Sequence, residues 1–441
     1  MYLSFYIGIA NASVKGGGRR HSVNTGKTGL AGRTKRAKDA WMSAKFPSKC
    51  RTPPTRATLI IMTAVSVLTL NLFLPSLPSM AAEFGVSYGA ISFSIAGYLF
   101  LSAVLAIILG PLADRYGRRP ILLCTFSIFT LASVGAALTE NFTLFLIFRM
   151  VQAVCAAGSS LSRAIVRDMY PPGRGTSVLG YIAMAMAVAP MIGPLLGGLL
   201  EETLGWRSVF WVFAILGILS VLLIWMDLGE TAPGKGTSFY QQLAGYKVVL
   251  RSHMFWSHTM VIGFSITAFF VFLAGVPLVA SAHFDLTPSR VGMALGSIAM
   301  GFFVGSFIAG RVSESSPLGL MMIWGRRVAM IGPICAMALV FTNLETPVVF
   351  FALLASLGLG NGISLPSANT GAMSVRPDLA GSASGLSAAI ATAMGAIASA
   401  ATGAVLTPTN SAWLFCLLLL LVCMGALVFA HIAARALKEA A

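Results

Sequence analysis

Residues 110–120 read Gly110-Pro111-Leu112-Ala113-Asp114-Arg115-Tyr116-Gly117-Arg118-Arg119-Pro120, and long apolar runs flank them at 89–112 and 120–138. A helix needs about 20 apolar residues to cross a hydrocarbon core about 30 Å thick. The stretch therefore reads as a short polar turn between two spans. Gly117 permits a tight turn that a Cβ resists, and Pro120 pre-sets the start of the next helix. Asp114 stands at a helix end beside three arginines, so it can exchange ion partners as the helices move.

Outward from that turn the pattern repeats. Apolar runs fall at 58–77, 89–112, 120–138, 142–165, 176–200, 207–226, 257–280, 289–309, 324–343, 347–366, 381–405 and 412–434. They predict twelve spanning helices. Composition agrees: 57% of residues are hydrophobic and only 10% charged, where a water-soluble domain carries about 25%. With both ends on one side, fifteen Lys and Arg fall on that face and two, Arg207 and Arg290, on the other. Arg149 is left inside a helix. Cytoplasmic loops are the basic ones, so both termini are assigned to the cytoplasm of a cell inner (plasma) membrane.

Residues 1–56 hold twelve Lys or Arg and one acid, Asp39. This basic, aperiodic tail is expected to be disordered. It is assigned to anionic lipid rather than to nucleic acid, because it adjoins a membrane helix. Met42 is an alternative start that would leave most of the tail untranslated. The remaining boundaries are a six-helix bundle over 57–226, a cytoplasmic linker over 227–256, a second bundle over 257–434 and a cytoplasmic C-terminus at 435–441. None of the six cysteines forms a C-x-x-C pair and the five histidines are scattered. No metal, cofactor or enzymatic chemistry is expected, and the partners predicted are a small-molecule substrate, protons and the lipid bilayer, for a monomer.

The two halves echo each other. Gly110-Pro111-Leu112-Ala113-Asp114 closes the second run and Gly310-Arg311-Val312-Ser313-Glu314 the eighth. Val166-Arg167-Asp168 follows the fourth and Val375-Arg376-Pro377-Asp378 the tenth. Such repeats place a substrate path between two bundles near mid-membrane.

The 110–120 stretch resembles the G-x-L-A-D-R-x-G-R-[RK] signature of the major facilitator superfamily. The resemblance implies an all-α membrane protein with twelve transmembrane helices in two six-helix bundles. It implies alternating access, with Gly110, Asp114, Arg115, Gly117, Arg118 and Arg119 in a gating network. Arg149-Met150-Val151-Gln152 resembles the R-x-x-Q element of drug/proton antiporters. An arginine inside a span is costly unless it faces the bundle interior, and three-residue spacing sets Gln152 on its face. Pro190-Met191-Ile192-Gly193-Pro194-Leu195-Leu196-Gly197-Gly198 resembles the exporter signature G-P-x-x-G-G. Gly193 and Gly197 make a close-packing face, while Pro190 and Pro194 remove backbone donors. With Asn71-Leu72-Phe73-Leu74-Pro75, Val166-Arg167-Asp168 and Trp206-Arg207-Ser208, the chain is similar to Bcr/CflA-type multidrug exporters over residues 58–434.

The resemblance implies export of small amphipathic, drug-like or metabolite molecules by proton antiport, a function that confers antibiotic resistance. Import or uniport on the same fold is the alternative. Arg149, Asp114 and Asp168 are the proton-coupling candidates. The acid usual in the first helix of that subfamily is Asn71 here, which carries no proton. With Arg149 the deepest charge, a neutral or anionic substrate is expected. Candidate substrate contacts are Asn71, Tyr98, Arg149, Gln152, Phe264, Phe270 and Asn369.

Overall fold

The computed structural model describes residues 54–170, 172–231, 248–312, 316–374 and 380–439. The chain divides into Met1–Lys49 and Cys50–Ala441. The first unit, most of the 227–256 linker and the 375–379 echo lie outside the described residues. Everything below concerns the second unit.

Among the described residues, twelve helices are long and apolar enough to cross a membrane. They are α1 (Arg56–Phe84), α2 (Tyr88–Tyr116), α3 (Arg118–Leu138), α4 (Phe142–Met169), α5 (Ser177–Leu204), α6 (Arg207–Asp227), α7 (His253–His283), α8 (Pro288–Val312), α9 (Leu318–Thr342), α10 (Pro347–Ser374), α11 (Ala383–Val405) and α12 (Ser411–Leu437). Short polar side chains start several of them. Ser87, Asn141 and Ser252 accept the backbone N–H of Ala90, Leu144 and Phe255, which satisfies donors that the first turn leaves open.

Three helices differ from the apolar runs. In α1 the regular helix ends at Asn71, tightens to a 3-10 turn over Leu74–Ser76 and resumes to Phe84. Pro75 and Pro78 supply no N–H, so the α ladder breaks there. In α4 a 3-10 turn over Gln152–Cys155 interrupts the span, which runs to Met169 rather than 165. In α9 the helix begins at Leu318 rather than 324. Arg326, one of the fifteen basic residues assigned to the cytoplasmic face, lies two turns inside α9 and is fully buried.

Phe100, Leu131, Phe303 and Val428 are each more than half exposed. A water-facing surface of this kind would aggregate, whereas lipid tails receive it. Hydroxyls inside the spans bond their own helix: Thr63 to Leu59 O at 2.9 Å and Ser133 to Phe129 O at 2.7 Å. In lipid every polar hydrogen needs such an internal acceptor.

Within the first six helices α3 lies along α6 and α1 along α5. In the last six, α8 and α9 flank α10, and α7 lies along α11 and α12. Aromatic clusters mark the same end of each half. Phe84, Phe145, Trp206 and Phe210 meet in one, Phe284, Phe350 and Phe351 in the other. Packing also repeats between the halves, because Phe84 at the end of α1 meets the start of α4 and Phe284, just after α7, meets the start of α10.

Candidate functional site: a cleft between the halves

The halves touch along α5–α8 and α2–α11. Each of these four helices carries one glycine near either end. At the end remote from the 110–120 turn, Gly89 lies against the Gly403 carbonyl oxygen, which a Cβ would approach to 2.9 Å. A Cβ at Gly198 would overlap the Pro288 carbonyl, and one at Gly292 the Pro194 carbonyl. Two hydrogen bonds also join the halves there, Tyr88 Oη to Ala274 O at 2.7 Å and Ser289 N to Glu202 Oε2 at 3.2 Å. At the arginine-bearing end, Gly110, Gly180, Gly310 and Gly385 meet nothing within 4 Å. The seam is shut at one end and parted at the other.

Two neighbouring chambers, which share Thr392 of α11, lie in the parted region. Mid-span lies a cavity of about 410 Å³, walled by Met186 and Pro190 of α5, Phe269 and Phe270 of α7, Ile298 and Phe302 of α8, and Asn361 of α10. Its walls are almost wholly apolar. Asn361 donates its Nδ2 to Ser265 O at 3.2 Å, and its buried Oδ1 has no hydrogen-bond partner. Toward the arginine-bearing end lies a vestibule of about 420 Å³ bounded by Ser102, Gly110 and Asp114 of α2, Ser159, Ser160 and Arg163 of α4, and Gly385 of α11.

Arg149 does not reach this cleft. It is fully buried within the first half, where Nη1 donates to Gln152 Oε1 at 2.7 Å and Nη2 to Thr69 O at 2.8 Å. Gln152 passes the chain on to Ser133 Oγ at 2.8 Å. The guanidinium carbon sits 4.0 Å from the Phe73 ring centre and 4.5 Å from that of Tyr98. Desolvated cation–π contacts contribute about 2 kcal/mol each. That offsets part of the cost of a buried charge lacking a carboxylate. Four of the sequence-predicted residues, Tyr98, Arg149, Gln152 and Phe73's neighbour Asn71, thus lie buried in one half.

At the 110–120 turn Gly117 takes φ 102°, in the region open to glycine, and joins α2 to α3. A side chain there would overlap the Glu230 carboxylate. Arg118 is 1% exposed and donates Nη2 to Asp114 Oδ1 at 3.2 Å and to Asp168. Its backbone N–H donates to Glu230 Oε1 at 2.9 Å. Arg119 donates to Trp225 O at 2.8 Å, while Arg115 lies over the Tyr116 ring. The turn therefore clamps α2, α3, α4 and the end of α6. The neighbouring start of α1 is held likewise: Thr55 N donates to Asp227 at 2.7 Å, and Tyr170 Oη donates to Pro54 O at 2.7 Å. Burial raises the Tyr170 pKa, so the phenol stays a donor.

Of the other predicted contacts, Phe270 lines the cavity. Phe264 turns away, stacking on Phe429 against Gly425 of α12. Asn71 bonds its own helix through Nδ2 to Val67 O, with its Cβ beside Gly193. Asn369 is exposed and bonds Leu365 O. The proline-glycine segment of α5 serves two neighbours: Gly193 and Gly197 abut α1 at Asn71 and Leu72, Gly198 abuts α8, and Pro190 faces the cavity while Pro194 presents its carbonyl to Gly292. Both prolines lie inside one continuous helix.

Three residues escaped the sequence reading. Glu230 acts 112 residues away from Arg118, with no local signal. Arg163, one of the fifteen basic residues assigned to the cytoplasmic face, stands inside α4 on the vestibule wall. The spacing of Ser159, Ser160 and Arg163 is a polar stripe at helical period, which does signal a lined path. Asn361 carried no signal. Among the described residues no three of His, Cys, Asp and Glu converge as metal ligands.

Residues 59–400 match the family model described as Major Facilitator Superfamily. The chain is 31% identical over 350 residues to the uncharacterized MFS-type transporter YdgK of Bacillus subtilis (strain 168), covering 76% of this chain and 85% of that one. It is 27% identical over 384 residues to a chloramphenicol resistance protein of Pseudomonas aeruginosa, covering 84% and 89%. Multidrug resistance protein D of Escherichia coli (strain K12) is 26% identical over 339 residues, covering 74% and 83%. Among solved structures, the D-xylose-proton symporter superposes with a TM-score of 0.66 at 16% identity, covering 85% of this chain and 97% of that one. A bacterial homolog of the human lysosomal transporter Spinster, in an inward-facing and unoccupied conformation, gives 0.65 at 17% identity, covering 88% and 99%.

Proposed function

We propose an export function from one premise: the chain belongs to the Major Facilitator Superfamily. It is a multi-pass membrane transporter and not an enzyme. The finer reading is a secondary active exporter of small amphipathic molecules, working by alternating access in the bacterial inner membrane. The arginine-bearing end faces the cytoplasm on this reading, as basic loops do.

One observation carries the reading. A mid-span cavity adjoins a vestibule toward one end, and glycine contacts of α2–α11 and α5–α8 shut the other. A substrate taken from the cytoplasm or inner leaflet enters the vestibule and lodges in the apolar chamber. Rocking of α1–α6 against α7–α12 then parts the shut end and brings the free glycines of the open end together. The relatives' printed names, a chloramphenicol resistance protein and a multidrug resistance protein, support export.

Protons are the coupling ion in this reading. Asp114 lines the vestibule and holds Arg118 at the same time. Protonation of Asp114 or Asp168 weakens the hold of the turn on Arg118, and that links proton entry to movement of α2 and α4. Arg149 sets the shape of the first half from within and acts as a positioning residue. The test is accumulation of chloramphenicol in an efflux-deficient host expressing the chain, with and without a protonophore. Reduced accumulation that the protonophore abolishes is the expected result. Reduced accumulation that survives it points to uniport, and increased accumulation points to import.

A further inference from the structure

The vestibule and the cavity differ in chemistry, and among the described residues their seam holds one uncommitted cation. The hydroxyl protons on the path are already spent on backbone carbonyls. Ser102 donates to Leu99 O at 2.8 Å, Ser159 to Ala156 O at 3.1 Å, and Thr392 to Ala388 O at 2.8 Å. Those hydroxyls present only lone pairs to a ligand. Asp114 is committed to Arg118. Arg163 differs. It forms no ion pair with a described residue, and its Nη1 lies 3.7 Å from the Met186 sulfur, a weak acceptor. Met186 is a wall of the apolar cavity, whereas Arg163 is a wall of the vestibule. The guanidinium therefore stands at the junction of the two chambers with most of its N–H groups unspent.

We infer that the substrates of this transporter include amphipathic anions, with Arg163 as the counter-charge for the anionic group and the apolar cavity as the seat of the hydrophobic body. This rests on the export reading and names its substrate class. The fit is geometric. A planar guanidinium offers paired N–H donors to a carboxylate or sulfonate. Phe269, Phe270 and Phe302 line the same apolar chamber as Met186. A cation finds no uncommitted carboxylate on this path. A neutral apolar molecule fills the cavity but leaves the guanidinium unanswered.

The test uses two probes with one ring skeleton. 8-Anilinonaphthalene-1-sulfonate is an amphipathic monoanion, and N-phenyl-1-naphthylamine is its neutral counterpart. Binding is measured on the purified full chain for wild type, Arg163→Ala and Arg163→Lys, and uptake into proteoliposomes is measured in parallel. The expected result is a preference of about tenfold for the sulfonate in wild type, the scale of a charge-assisted hydrogen bond. Arg163→Ala removes that preference with neutral-probe binding unchanged, and Arg163→Lys keeps most of it. Retained neutral binding shows that the variant is folded. Equal affinity of wild type for the two probes overturns the inference, as does an unchanged preference in Arg163→Ala. Anion preference in binding with no uptake of either probe sustains the Arg163 site and sinks the export reading. Uptake of the neutral probe alone does the reverse.

Discussion

At one end of the molecule α2 meets α11 and α5 meets α8 with no room for a methyl group; at the other, the same four helices pass glycines that touch nothing within 4 Å. The paired glycines of each helix stand about 27 Å apart along the axis in α5, α8 and α11 and about 32 Å in α2, at 1.5 Å per residue. The seam is closed at one end and open at the other, and on the proposed alternating-access reading the uncontacted glycines leave room for the open end to close. Glycine contacts give backbone-to-backbone approach without the side-chain interlocking that would hold a seam permanently. A pivot near mid-span then needs only a small rotation to exchange the two ends.

The largest predicted effect breaks the shut end. Gly292→Val places two methyl groups against the Pro194 carbonyl. Overpacking of this kind costs about 1–3 kcal/mol, a shift of roughly 5- to 150-fold in the seam equilibrium. Transport falls by at least about tenfold, and an impermeant thiol reagent applied from outside gains access to a cysteine placed at Ala299. The counterpart at the open end, Gly310→Val, fits the present state without contact. It impairs transport by blocking the other state, and that cysteine stays protected from outside.

Arg118→Ala comes next. It leaves Asp114 and Asp168 facing each other, both about a quarter exposed. Loss of a buried partner costs about 3–5 kcal/mol, and solvent screening of the carboxylates reduces that to roughly 2 kcal/mol. The open end then loses its link between α2 and α4. Drug accumulation assays should show most of the transport gone, with Arg118→Lys intermediate.

Arg149→Ala acts on neither seam. It removes the guanidinium from between Phe73 and Tyr98 and opens a cavity within the first half. A fall in Tm accompanies a several-fold loss of transport, because the two cation–π contacts, about 2 kcal/mol each, stabilise the folded first half. Gln152→Ala is milder because Thr69 O still accepts from Arg149. Unchanged Tm in Arg149→Ala would argue for a direct substrate role instead.

The smallest effect is at the shut end's surface. Glu202 caps the first turn of α8 across the seam, accepting Ser289 N–H. Glu202→Gln keeps an acceptor but loses the charge that suits a helix N-terminus. A shift of about twofold toward opening of that end is expected from spin-label distances.

Much of the fold was readable because lipid imposes a simple rule. Twelve hydrocarbon-length runs and arginines gathered on one face follow from solvation alone, and the structure has twelve such helices. Edges moved where proline or a buried charge intervened. The sequence could not show that α1 breaks at Asn71 and resumes to Phe84, nor that Arg326, inside the 324–343 run, is fully buried. A helix buries a charge when a neighbour supplies a partner, here Ser364. The site was less readable. Arg149 and Gln152 were found as a polar pair, but a helical period does not say whether that pair faces the cleft or the interior of one half. Phe264 and Phe270 sit on one helix six residues apart and face opposite ways. Asn361, with an unspent acceptor in an apolar wall, is visible only when α7, α8 and α10 are brought together.

The central claim is reciprocity of the two ends of the α5–α8 seam. Spin labels at Leu179 and Ile308 report the open end, and labels at Leu204 and Met293 report the shut end, all four being exposed positions. Pulsed dipolar distances on the purified transporter, with and without substrate and at acid and neutral pH, measure both. The account predicts two populations in each pair, with any condition that shortens the Leu179–Ile308 distance lengthening the Leu204–Met293 distance. A Leu204–Met293 distance that stays short and single under every condition, while transport proceeds, would contradict it.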